Sequence, residues 1–312
     1  MKEESIEQET LSKRKKFLKW FGWTLFFLTF LLFFTYLRIP KQRLKAYGES
    51  MAIQTLSRQG YLLDLNDTEL SFGLGISYTA KKIKITPIRP PGPPIELENL
   101  SLTPHLLSSL LGTPSGDIEV QQGRGILEMS ISHDGSITHL DFEAKHLNLK
   151  KLGIFPRYTQ VKGTAVLEGR GSIEGDFKRP STLEGDVRVE LKTLLVEQQS
   201  VFGFQIPRLD ISEGIVSARM SQSKLKINNF KLGKKGKKPE DDLIAKITGD
   251  IRLGSRWNSS QLNLTAEFSL SKKVQQAFSL VGAILAPGKR KDGSYRFNLT
   301  GKVSQPLPMP HP

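Results

Sequence analysis

Leu262, Leu264, Ala266, Phe268 and Leu270 alternate with Asn263, Thr265, Glu267 and Ser269. A period of two belongs to a strand with one dry face and one wet face. The same period runs through Val187, Val189 and Leu191 against Arg188 and Glu190. It recurs through Ala245, Ile247, Ile251 and Leu253 against Lys246, Asp250 and Arg252, and again at Tyr295, Phe297, Leu299 and Val303. Between two such runs lies His133-Asp134-Gly135-Ser136, where Asp-Gly supplies the positive φ of a tight primed turn and so predicts antiparallel pairing. Glycines across residues 163–185 punctuate short strands in the same manner. Strand pairs of similar length at 163–196, 214–232 and 243–270 form a loose repeat. Together they predict a mainly β protein built on an elongated, twisted, mostly antiparallel sheet. Alternation alone leaves open whether its apolar face closes as a sandwich or stays open as a groove.

A different pattern occupies the first sixty residues. Residues 20–37 (WFGWTLFFLTFLLFFTYL) carry no charge and are closed by Lys19 and Arg38. Eighteen helical residues span about 27 Å, close to the hydrocarbon core of a bilayer. Trp20, Trp23 and Tyr36 sit near the ends, where amphipathic rings prefer the headgroup layer. This predicts a single transmembrane helix after a basic tail, residues 1–19. The run is too long for a signal-peptide h-region, and Arg38-Ile39-Pro40-Lys41 offers no small-residue cleavage site. Basic residues on both flanks make a weak orientation signal. The long following domain favours a cytoplasmic N-terminus with the bulk translocated.

Residues 38–60 mix apolar and polar positions in a helical manner and predict a juxtamembrane helix stopped by Gly60. Further helices are expected at 103–111 and 272–286. The five prolines of residues 86–94 read as a loop or an edge. The β-rich domain then extends over 61–305, with a Pro-rich tail at 306–312.

The formal net charge is +14. Its sources are dispersed between the tail, the segment after the span and residues 231–238 (KLGKKGKK), without interleaved aromatics, so nucleic acid is not an expected partner. There is no cysteine, which excludes a disulfide, a thiolate metal site and a Cys nucleophile. Residues 282–289 (GAILAPGK) approximate a phosphate loop but place five residues between the glycines and Arg290 where Ser or Thr should stand. Gly123-Arg124-Gly125 and Gly169-Arg170-Gly171 lack the third glycine of a dinucleotide fingerprint. His133, His139 and His146 stand six and seven apart, a spacing that fits no helical metal motif. No elbow surrounds a serine and no helix bears paired acids. The expectation is a non-enzyme with no catalytic, cofactor-binding or metal site residues.

The basic tail and span, the run 147–163 (LNLKKLGIFPRYTQVKG) leading into Gly-rich strands, Gln205-Ile206-Pro207-Arg208-Leu209 before another strand set, and the closing 293–301 (GSYRFNLTG) followed by Pro306 together resemble the protein N family of type II secretion systems. That resemblance implies an inner-membrane, single-pass structural component whose periplasmic β-domain binds other proteins of the secretion platform. The repeated Gly-bounded pairs, such as 171–186 (GSIEGDFKRPSTLEGD), are also similar to AsmA-like proteins. These imply the alternative, a membrane-anchored β-groove that handles phospholipid. The two differ physically: a lipid groove needs a continuous exposed apolar face, whereas a scaffold buries that face.

Overall fold

The computed structural model describes residues 20–31, 34, 38, 40–72, 75–88, 92–153, 155, 161–201, 204–234, 236, 240–277 and 285–311. The chain forms two compact units, residues 1–51 and 52–312.

In the first unit, residues 20–31 are helical with every side chain exposed. Phe26 stacks on Phe30 at 6.0 Å, and Trp23 meets Phe26 edge-on at 6.1 Å. The two threonines of this apolar run satisfy their hydroxyls internally, Thr24 donating to Trp20 O (2.9 Å) and Thr29 to Leu25 O (2.8 Å). Among the described residues no helix is long and apolar enough to cross a membrane. The expected span, 20–37, includes positions 32, 33 and 35–37, which lie outside those residues. Helix α1 (Lys41–Arg58) has no buried residue. Gly60, at φ 87°, ends it as expected, its N–H donating to Ser57 O at 3.0 Å.

The second unit is a sheet of fourteen antiparallel strands. In chain order they are β1 (Tyr61–Phe72), β2 (Ile76–Pro87), β3 (Ile95–His105), β4 (Ser115–Gln122), β5 (Gly125–Asp134), β6 (Ile137–Asn148) and β7 (Gly163–Gly175). There follow β8 (Glu184–Val196), β11 (Leu209–Ser221), β12 (Lys224–Leu232), β13 (Leu243–Arg252), β14 (Gln261–Leu270), β15 (Tyr295–Lys302) and β16 (Gln305–Pro310). A separate hairpin, β9 (Gln199–Val201) with β10 (Phe204–Ile206), interrupts the series. Every strand of the large sheet pairs with its neighbour in sequence, a pure meander. At about 4.8 Å per strand the sheet is on the order of 60 Å wide. Apart from the β9–β10 hairpin, every strand among the described residues belongs to this one continuous sheet.

The meander sends its connections alternately to two ends. The proximal end, where α1 leads into β1, receives the connections that follow β2, β4, β6, β8, β12 and β14. The distal end receives the connections that follow β1, β3, β5, β7, β11, β13 and β15. The hairpin expected around Asp134-Gly135 is present, with Asp134 paired to Ile137 and Gly135 at φ 60°, so Gly135-Ser136 form the turn itself.

Several expected boundaries move. Residues 103–105 of the expected helix 103–111 belong to β3, because their backbone pairs with β4, and only α2 (Leu106–Leu110) is helical. Of the expected helix 272–286, α3 (Lys272–Ala277) forms, residues 278–284 lie outside the described residues, and Ala286–Gly288 make a 3-10 turn. Thr86 and Pro87 complete β2 rather than opening the loop. The segment 306–312, expected as a tail, instead carries most of β16. Its prolines at 306, 308 and 310 share one parity, opposite to Gln305, Leu307 and Met309, while His311 N–H donates to Arg296 O at 3.2 Å. The missing N–H groups therefore all fall on the outer edge, where no ladder needs them.

Three bulges share one design. In β2, Ala80 and Ile83 are both buried although three residues apart, with Lys82 at φ 53° between them. Ala144 and Leu147 in β6 repeat this with His146 at φ 52°, and Leu191 and Leu194 in β8 with Thr193 at φ 50°. In each the residue after the first apolar position is a lysine: Lys81, Lys145 or Lys192. A regular strand would send such pairs to opposite faces. The extra residue returns both to the apolar side.

A polar clasp closes the proximal ends of β11, β13 and β14. Asp241 accepts from Ser212 N–H (2.9 Å), Ser212 Oγ (2.7 Å) and Lys234 N–H (2.6 Å). Asp242 accepts from Asp210 N–H (3.0 Å), Ser271 Oγ (2.7 Å) and Lys273 Nζ (3.2 Å). Burial alone would raise the Asp242 carboxyl, but the Asp210 N–H, the Ser271 hydroxyl and the Lys273 ammonium together hold it below the usual carboxylate range.

Two outcomes are expected. A Cβ at Gly249, which sits at φ 124°, would lie 2.2 Å from Asn263 O, so Gly249→Ala should destabilise by about 2–4 kcal/mol in chemical unfolding followed by circular dichroism. The stability contributed by Asp242 is complete above the unfolded carboxylate value of about 3.9 and is lost as pH falls through the lower folded value. Asp242→Asn should cost about 1–3 kcal/mol at pH 7 and flatten the acid limb of the stability profile; an unchanged limb would show that Asp242 is not what titrates there.

Candidate functional site

Opposed residues of an antiparallel ladder share a face, so the register traces each face across the sheet. One row begins at Leu70 on β1 and passes through Tyr78, Leu102, Ile118, Met129 and Phe142. It continues through Gly171, Val187, Ala218 and Ile227. Gly249, Leu264, Leu299 and Pro308 bring it to the last strand. No charged side chain interrupts it from edge to edge. A neighbouring row, nearer the distal end, runs Ile131, Leu140, Ile173, Gly185, Met220 and Leu225, then Ile251, Leu262, Gly301 and Pro306.

Most of these side chains are half-buried, because their cover comes from same-face neighbours and from loops folded over the ends. At the proximal end Leu149, Leu152 and Phe155 join Ala165, Leu194 and Ile211. At the distal end Leu183 and Leu253 pack on Met220. The middle of the face has no covering layer among the described residues. Glycines make room within it: a Cβ at Gly171 would lie 2.6 Å from the Phe142 ring.

The opposite face is charged. Glu119, Glu128 and Glu143 stand directly opposed on β4, β5 and β6, followed by Arg170 and Arg188 on β7 and β8. These residues line an open depression of about 1050 Å³. Lys145 bridges toward the glutamates, at 3.1 Å from Glu143 and 3.9 Å from Glu128, which relieves the like-charge contact. Asp117 is held below the usual carboxylate range by the Ser130 hydroxyl (2.6 Å) and by His105 (2.9 Å). Glu168 is lowered first by Lys192, at 2.5 Å, and further by His146. The carboxylates whose acidity is altered, Asp117, Glu168, Asp176, Asp242 and Asp292, are all driven downward. That is the direction of partnered anions, opposite to a general acid poised near neutrality.

The structure does not gather the histidines singled out in the sequence. His133 meets Thr138 (3.0 Å), His139 meets Glu174 (3.0 Å) and His146 meets Glu168 (2.7 Å), each at its own place along the strands. No group of potential metal ligands forms among the described residues. Of the near phosphate loop, residues 282–284 lie outside the described residues and 286–288 form a turn. The apolar rows were visible only as separate alternations, since register across fourteen strands is a tertiary property. No family model, no curated protein and no solved structure matches the chain.

Proposed function

We propose that the protein is a membrane-anchored lipid-binding protein whose apolar sheet face holds acyl chains. The observation that carries this reading is the uncharged row from Leu70 to Pro308, continuous over the whole sheet and only half-buried except at Leu264. Each methylene moved from water onto such a face contributes about 0.8 kcal/mol, so ten of them give about 8 kcal/mol before the ordering cost of the chain. An apolar face this wide calls for an occupant. The charged opposite face keeps the other side of the sheet in water. On this reading residues 20–37 form the span, α1 joins it to the sheet, and the threonine hydroxyls bonded back to their own helix suit a hydrocarbon surround.

The full chain, purified in mild detergent and measured by native mass spectrometry, should retain phospholipid. Val187→Asp and Ile118→Asp, on the row, should reduce the retained fraction about tenfold or more, since each places a charge beside the acyl chain. Ser217→Asp, on the charged face, should leave it unchanged and serves as the folding control. A scaffold of a type II secretion platform predicts the opposite result: no lipid, and a face protected from hydrogen exchange only when partner proteins are present.

A further inference from the structure

Gln122 ends β4 as a buried amide that bonds to nothing. It is 3% exposed, and neither its Oε1 nor its Nε2 has a hydrogen-bond partner among the described residues. Ile118, Val120 and Gln122 alternate along β4 onto one side, and Val120 packs on the cluster of Ala80, Ile83 and Leu97. An apolar residue would suit that place, whereas an amide there forfeits the hydrogen bonds it makes in water. On the adjacent strand β3, Asn99 Oδ1 is a second buried acceptor without a donor.

Gln122 stands in the wall of an open depression of about 570 Å³ formed by the proximal halves of β1 to β4. Four lysines from two elements also line it, Lys82 and Lys84 on β2 and Lys150 and Lys151 in the connection after β6. Lys82 is held by Asp67 (3.7 Å) and Lys150 by Glu197 (3.0 Å). Lys84 and Lys151 make no ion pair among the described residues, although Glu98 lines the same depression. A Cβ at Gly123 would lie 3.7 Å from Lys151 Nζ and 3.8 Å from Glu98 Oε1. An ammonium and a carboxylate thus approach the residue next to Gln122 without closing on each other.

We infer that this depression binds a zwitterionic phosphoester of the phosphoethanolamine type. Its phosphate accepts from Lys84, Lys151 and the Gln122 Nε2–H, and its ammonium donates to Gln122 Oε1 and to Glu98. A primary amide offers both a donor and an acceptor, so it selects a ligand that carries both. A plain anion would satisfy the lysines and leave Oε1 facing negative charge. A water molecule takes up about 30 Å³ of such a space and calls for no lysine. Lysine suits a phosphate as a point charge, without the planar fork that arginine imposes. The same group occurs as a free phosphoester and as a phospholipid headgroup, and the same side chains serve either. The inference does not rest on the acyl-chain reading above, since the free compound fulfils it.

The test uses the full chain in a maltoside detergent and phosphate-free buffer, titrated calorimetrically with phosphoethanolamine and with inorganic phosphate. Native protein should bind phosphoethanolamine about tenfold more tightly than inorganic phosphate. Lys151→Gln, at an exposed position, should weaken that binding about tenfold, and Gln122→Leu about tenfold or more. Without ligand, Gln122→Leu should raise the unfolding midpoint by about 2–4 °C, because leucine needs no partner. A lowered midpoint would overturn the inference, as it would show an amide already bonded. So would equal binding of the two probes, or phosphoethanolamine binding untouched by Lys151→Gln. If the free compound does not bind, native mass spectrometry decides the source. Retention of phosphatidylethanolamine over phosphatidylglycerol, lost in both variants, assigns the site to a lipid headgroup, and retention of neither overturns it. Val187→Asp, which tests the sheet reading, should leave binding of the free compound unchanged, so the two readings fail separately.

Discussion

Register is the constraint on which the rest of the molecule depends. Side chains alternate strictly along a strand, so sliding one strand by one residue would carry its apolar set to the charged face. With fourteen strands joined only to their sequence neighbours, an error at one ladder would propagate into the next. The row from Leu70 to Pro308 exists because thirteen successive pairings keep the same parity. Two-residue turns fix that parity at the hairpins, as between Asp134 and Ile137. Where strands are long, the bulges at Lys82, His146 and Thr193 correct it within the strand. The lysine that precedes each positive-φ residue stays on the wet side, while the apolar pair around it meets the core.

The proximal end depends on a second device. Its connections are cationic, and apolar packing reaches them through Leu149, Leu152 and Phe155. Asp241 and Asp242 add six hydrogen bonds that reach Ser212, Lys234, Asp210, Ser271 and Lys273. Two adjacent carboxylates thereby tie three strand ends beside the cluster that holds Ile211 and Leu243.

Much of this was legible in the alternation of residues 187–191, 245–253, 262–270 and 295–303, and in the turn signal at Asp134-Gly135. These are local signals: a period, a glycine, a charge pattern. What escaped is less local. The bulges break the period by one residue, and a search for strict alternation reads such a break as the end of a strand. Pro306, Pro308 and Pro310 look incompatible with pairing until their common parity places every missing donor on an unpaired edge. Asp241-Asp242 follow a run of lysines and read as part of a solvated loop, because the N–H groups they bind, at 210 and 212, lie thirty residues away. The distal leucines read as a two-turn helix, yet α2 is one turn long and leaves Leu107, Leu110 and Leu111 exposed.

The meander has a consequence for how the molecule is made. Each strand's partners are the strands just before and just after it, so the contacts are local in sequence and loop-closure costs are small. A chain delivered N-terminus first can add strands in order, and every intermediate is a shorter version of the same sheet with one growing edge. Such an edge is a template for any passing strand, its own kind included. It stays open through the first thirteen strands of the sheet and is closed by the last, whose prolines at 306, 308 and 310 offer the next strand no donor. The final six residues of the sheet act as a stop signal for strand addition, and a chain that lost them would be complete in its face yet unfinished at its border.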